Sequence, residues 1–121
     1  MSKFEIAQSE FDSRTKQLIE HLITATKNGR LSWSDATCGY ITSNDEFSFL
    51  IKRGLRGGEP AIVLTVRDEA GERVLETFDE GDSVDISSSR LQQLMDLAAA
   101  NETDSRTHSV DRVLNSLQKA V

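Results

Sequence analysis

A single cysteine, a single proline, one tryptophan and one tyrosine stand among 121 residues. With Cys38 alone no intramolecular disulfide can form, which excludes a disulfide-stapled secreted scaffold and suits a reducing compartment. No apolar run reaches the roughly 18 residues that a membrane-spanning helix needs. The opening residues Met1-Ser2-Lys3-Phe4-Glu5 lead into polar sequence without a signal-peptide core, so the expected location is the cytoplasm and no membrane is expected as a partner. A basic excess is missing too. Lys and Arg number 14 against 20 Asp and Glu, for a formal charge of −6 and a pI near 4.9. Phosphate backbones are gripped by clustered cations, so this balance argues against nucleic acid, and it could suit a partner with a basic surface.

What is present is enough for one core. A chain of this length buries a little over about 60% of its unfolded surface, and one domain spanning residues 1–121 is expected. From about Ser9 to Asn28, Phe11, Leu18, Leu22 and Ala25, flanked by Ile19 and Ile23, recur at the spacing of one helical stripe. Asn28-Gly29 ends it, because glycine takes the left-handed conformation just past a helix without strain.

From Leu31 the period falls to two. Leu31-x-Trp33 and Tyr40-Ile41-Thr42 read as short strand pieces, and Phe47, Phe49 and Ile51 share one face of a longer strand. The segment Gly54 to Pro60 reads as a flexible loop, followed by Ala61 to Arg67, the most apolar strand and so expected at the sheet centre. Asp68-Glu69-Ala70-Gly71 has the composition of a hairpin turn, and Glu72 to Phe78 returns as a strand. The serines at 87–89 offer helix caps before Leu91, Leu94, Met95 and Ala98. The polar run 102–105 is expected to break that helix after Asn101, and Val110, Val113, Leu114, Leu117 and Val121 mark a second, final helix. The expected fold is therefore α+β: an N-terminal helix, a three- to four-stranded antiparallel meander, and two C-terminal helices packed on one sheet face.

Candidate chemistry is sparse. His21 and His108 stand far apart in sequence and outside any H-E-x-x-H pattern, so neither is expected to ligate a metal, and no cofactor is expected. Cys38 lacks a recognisable activating partner and reads as a small buried side chain. No serine lies in a G-x-S-x-G elbow. Arg53 and Arg56, within Lys52-Arg53-Gly54-Leu55-Arg56-Gly57-Gly58, are the candidate anion-binding residues, although the P-loop lysine pattern is absent. Asp79, Glu80 and Asp82 head an acidic stretch without the D-x-D-x-D-G order of a calcium loop, which reads as a surface for a basic partner. Trp33 and Tyr40 are expected to pack in the core.

The spacing Leu31-x-Trp33, Phe47-x-Phe49-x-Ile51, Leu64-x-Val66-x-Asp68-x-x-Gly71-x-x-Val74 and Leu91-x-x-Leu94 resembles that of small uncharacterised bacterial and phage proteins of this length. The resemblance implies a fold pattern and carries no catalytic residues. In size, acidity and helix-flanked sheet the chain also looks like the class I type III secretion chaperones, dimers that wrap an extended effector segment. It departs from them between residues 101 and 105, too few to hold the strands that those proteins place between their last two helices.

The expected function is that of a non-enzymatic interaction module, in the manner of an immunity protein, inhibitor, adaptor or chaperone-like dimer. Its partner surfaces are the stripe Val110, Val113, Leu114 and Leu117 and the acidic stretch at Asp79, Glu80 and Asp82. A helix of about 15 residues is marginal alone in water, so that stripe needs cover from its own domain or from a second chain, including a homodimer partner. Burying its four side chains returns on the order of 6 kcal/mol before entropy. The competing expectation is a small enzyme or phosphate-binding domain using the basic glycine-rich segment.

Overall fold

The computed structural model describes residues 3–78 and 90–119. Their order is α1 (Lys3–Lys27), β1 (Ser34–Ala36), β2 (Gly39–Ser43), β3 (Ser48–Arg56), β4 (Glu59–Arg67), β5 (Arg73–Phe78) and α2 (Arg90–Lys119). The class is α+β, with one antiparallel sheet in the meander order β1-β2-β3-β4-β5.

Helix α1 buries Ile19, Leu22, Ile23 and Thr26 along one stripe, while described residues 7–14 stay exposed. It ends as its sequence dictates. Gly29 adopts φ +71°, its N–H donates to the Thr26 carbonyl at 3.2 Å, and the Arg30 N–H donates to the Ala25 carbonyl at 2.9 Å. This pair of bonds is the Schellman closure, which satisfies carbonyls that the helix end leaves unpaired.

In the sheet, Phe49 lies opposite Val66 and Ile51 opposite Leu64, so the pleat turns all four to one face. That face carries the core, together with Ile62, the α1 stripe and Leu91, Leu94, Met95 and Ala98 of α2. Val63 and Thr65, pointing the other way, are buried as well, and Thr65 Oγ1 donates across the register to Glu76 Oε2 at 3.2 Å. This two-sided burial explains why β4 reads as a continuous apolar run.

Trp33, only 2% exposed, ties the layers together. Its indole N–H donates to Thr26 Oγ1 at 3.0 Å, and that hydroxyl donates in turn to the Leu22 carbonyl at 2.7 Å. Its backbone N–H donates to Asn101 Oδ1 at 2.8 Å, while Asn101 Nδ2 donates to the Leu31 carbonyl at 3.2 Å. One amide of α2 thus clamps the strand-like segment that leaves α1. Thr42 of β2 adds a third tie by donating to the Ser32 carbonyl at 2.7 Å.

Four expectations require correction. The sheet has five strands rather than three or four. Leu31 and Trp33 lie outside the strands, and β1 starts at Ser34, because the Trp33 N–H is committed to Asn101 instead of a ladder partner. The segment from Gly54 to Pro60 is not a loop. β3 and β4 stay paired to Arg56 and Glu59 and turn through Gly57 and Gly58 alone, at φ +60° and +84°. Positive φ at both central residues is what the tightest hairpin turns demand. Pro60 is tolerated there because it pairs with Leu55, one step from the closing pair Arg56–Glu59, where the alternation of an antiparallel ladder turns its nitrogen away from β3. On that outer side the described pairing with β5 runs from Arg67 to Val63.

The fourth correction concerns the C-terminus, where one helix replaces two. Residues 102–105 hold neither glycine nor proline, and their lower helix propensities cost only a few tenths of a kcal/mol each, about 0.5 on average. Asn101 spends its amide on the Trp33 segment rather than on stopping the helix. Glu102, the last buried residue of α2, pairs with Arg106 one turn on, Nε to Oε1 at 2.7 Å.

Glu20 of α1 meets Arg90 at the start of α2 at 2.6 Å, and the Thr26–Trp33–Asn101 link comes further along both helices. The helices therefore run in the same general direction. The first half of α1 extends past one end of the shared core and the second half of α2 past the other.

Replacing Asn101 by Ala is expected to lower unfolding free energy by about 2 kcal/mol, two part-buried hydrogen bonds at roughly 1 kcal/mol each. Alanine is the better helix former, so a loss seen in urea titration with undiminished helical circular dichroism identifies the clamp. Unchanged stability contradicts it.

Candidate functional site

Helix α2 divides at Glu102. Before it, Leu91, Leu94, Met95 and Ala98 are buried on α1 and the sheet; after it, every described residue from Thr103 to Lys119 is exposed. At 1.5 Å per residue this free half is about 25 Å long. It carries Val110, Val113, Leu114 and Leu117, exposed by 56, 58, 49 and 61%. At about 100° per residue these four are centred roughly a quarter turn from the buried face of the first half. The stripe is therefore not a continuation of the core face. Ser109, Arg112 and Ser116 line a shallow depression beside Val113 and Leu117.

Of the other candidates, Asp79, Glu80 and Asp82 lie outside the described residues, as do the proposed serine caps at 87–89. Arg53 is exposed on β3, where its backbone N–H donates to the Cys38 carbonyl at 3.0 Å. Arg56 is the last residue of β3. The glycines between them and β4 form a hairpin tip rather than a cradle opening a helix, so the dipole that would favour a phosphate does not follow this turn. Lys52 is half-buried, and Leu55, next to the tip, is 73% exposed.

Trp33 and Tyr40 are core residues, buried and half-buried, and so are not contact anchors. His108 is exposed on the free half of α2, and His21 is exposed in a groove along α1 with Ser13, Lys16, Gln17, Glu20 and Thr24. Among the described residues no group of three or more His, Cys, Asp and Glu is arranged to hold a metal ion. No described helix is long and apolar enough to cross a membrane.

Cys38 overturns the expectation of burial. It is exposed at the β1–β2 turn and holds φ +61°. Its neighbour Gly39 has no such freedom to vary. A Cβ there would stand 1.9 Å from the Ile51 carbonyl oxygen, because β2 packs backbone to backbone against β3 at that point. Gly39 is a structural requirement that single-strand periodicity did not reveal, since the pressure comes from a strand twelve residues away in sequence. Asn101 was likewise missed, its partners lying 68 and 70 residues upstream.

Comparison with protein-family models, with curated proteins and with solved structures finds no match to this chain. The free half of α2 is the surface on which the geometry concentrates exposed apolar side chains.

The turn yields a paired test. Cys38→Gly removes the strain of a left-handed non-glycine residue and is expected to stabilise by about 1 kcal/mol after the entropy cost of glycine. Gly39→Ala, next to it, is expected to destabilise by more than about 3 kcal/mol through a backbone overlap that no rotamer relieves. Chemical denaturation of both variants decides; similar stabilities for the two would contradict the turn geometry.

Proposed function

We propose that this chain is a non-enzymatic protein–protein interaction module that offers the second half of α2 to another protein chain. One observation carries the reading: four large apolar side chains, each about half exposed or more, stand on a helical segment that has already left its own core at Glu102. Two physical considerations support it. A helix of some 17 residues is marginal in water unless an apolar face is covered, because nucleation is costly and propagation only mildly favourable. Side chains such as Val and Leu return about 1.5–3 kcal/mol each on full burial, more than the ordering of an exposed helix surface costs.

The net charge of −6 fits the same reading. It favours encounter with a basic surface by long-range attraction and raises association rates more than it tightens the final contact. The enzyme alternative has weaker support, since the segment on which it rested forms the tip of a hairpin.

Replacing Leu114 and Leu117 together by Asp is expected to leave the fold intact, because both sites are exposed and far from the core, with stability changed by about 1 kcal/mol or less over the two sites. The same double variant is expected to lose the binding partners that the parent chain retains in affinity capture from its native host, read by mass spectrometry. Retention of an identical set of partners by the folded variant would refute the module reading at this surface.

A further inference from the structure

Resting on the reading of the free half of α2 as a contact surface, we propose that its occupant is a second copy of this chain, aligned in parallel as a two-stranded coiled coil. The spacing along the helix carries the first part of the case. Ala100, Thr103, Thr107, Val110, Leu114 and Leu117 follow one another at steps of 3, 4, 3, 4 and 3 residues, and Val121 continues the series in sequence. That is the a/d repeat of a coiled-coil seam, narrower than the stripe by which a helix docks on a globular core. All six are exposed, and none is charged. The upper positions are small and the lower ones branched and apolar, so two helices approach closely near the domain and interlock toward Leu117.

The seam also faces the right way. At about 100° per residue it is centred roughly a third of a turn from the face bearing Leu91, Leu94, Met95, Ala98 and Glu102. A partner helix lying along it runs past the sheet and α1 without displacing the core. The drift of the seam around the helix, about 20° per heptad, is what a left-handed supercoil takes up.

Charges beside the seam select the occupant and its direction. On one flank stand Asp104, Asp111 and Gln118; on the other stand Ala99, Arg106 and Val113. In a parallel pair each flank meets the opposite flank of its partner, and a residue at the second flank faces the one five positions on. Arg106 of each copy then faces Asp111 of the other, an attraction formed twice by symmetry. In an antiparallel pair each flank meets itself, and in the registers of greatest overlap Asp111 faces Asp111 or Asp104 of the other helix. Arg106 already holds Glu102 through Nε. A guanidinium has five N–H donors, so its remaining ones are suited to a second carboxylate.

Thr107, an exposed seam position, provides the test, introduced as Thr107→Cys in a chain whose native thiol is removed by Cys38→Ser. A parallel pair brings the two 107 positions into one layer, and mild oxidation is expected to join nearly all of the protein as a disulfide-linked dimer. The control Arg112→Cys, on the outer side of the helix, is expected to give little. Sedimentation equilibrium of the unmodified chain is expected to show a reversible dimer, made monomeric by Leu114→Asp with Leu117→Asp and weakened about tenfold by Asp111→Arg, which turns two attractions into two repulsions. A chain that stays monomeric at millimolar concentration overturns the proposal, as does a dimer that forms without the Thr107 cross-link. If the chain is monomeric yet the double Asp variant loses its captured partners, the second-copy inference fails and the module reading stands; if that variant alters neither association nor capture, both fail.

Discussion

The primary amide of Asn101 satisfies two backbone groups of the segment between Leu31 and Trp33, accepting from one and donating to the other. The position this imposes on Trp33 joins both helices to the core. Its indole fills the space between α1, α2 and the sheet, its N–H closes on Thr26, and the chain leaves it already aimed to begin β1. A buried polar group costs about 1–3 kcal/mol when left unpaired. The clamp therefore sets register as well as adding stability: sliding α2 by one residue would leave both Trp33 N–H and Leu31 C=O without partners.

The same clamp explains the shape of α2. The helix is held at Leu91, Leu94, Met95 and Ala98 by apolar contact and at Asn101 by hydrogen bonds, and its last buried group is the Glu102 carboxylate with Arg106 alongside. Past that ion pair the core has ended, but no residue tells the helix to stop. Regular hydrogen bonding continues to Lys119 and carries an apolar seam into solvent. The functional proposals rest on this mismatch between where the core ends and where the helix ends.

Much of this was legible in the residues. Helical periodicity through Leu18 and Leu22 and the Asn28-Gly29 stop located α1, and alternation at Phe47, Phe49 and Ile51 located the core face of the sheet. The stripe at Val110 to Leu117 was legible as apolar, helical and in need of cover. Its true extent was not. Reading a break at 101–105 divided the helix, and Ala100, Thr103 and Thr107 then had no visible relation to Leu114. Similarly, glycines at 54, 57 and 58 suggested a loose loop because glycine is permissive, whereas the ladder between β3 and β4 holds that backbone in extended pairing up to the turn. Local composition overstates breaks wherever a tertiary partner meets the cost.

By itself the sequence determined the quantities that depend on near neighbours: helical and strand periods, the left-handed stop at Gly29, and the charge of −6. Tertiary structure alone decided what depends on residues far apart. It committed Asn101 to Leu31 and Trp33, pressed Gly39 against the Ile51 carbonyl, put Cys38 at an exposed turn, and left the second half of α2 exposed among the described residues. The physical reason is the range of the forces. Periodicity and turn chemistry act within a few residues, while burial and hydrogen-bond pairing are settled only when the chain has closed on itself.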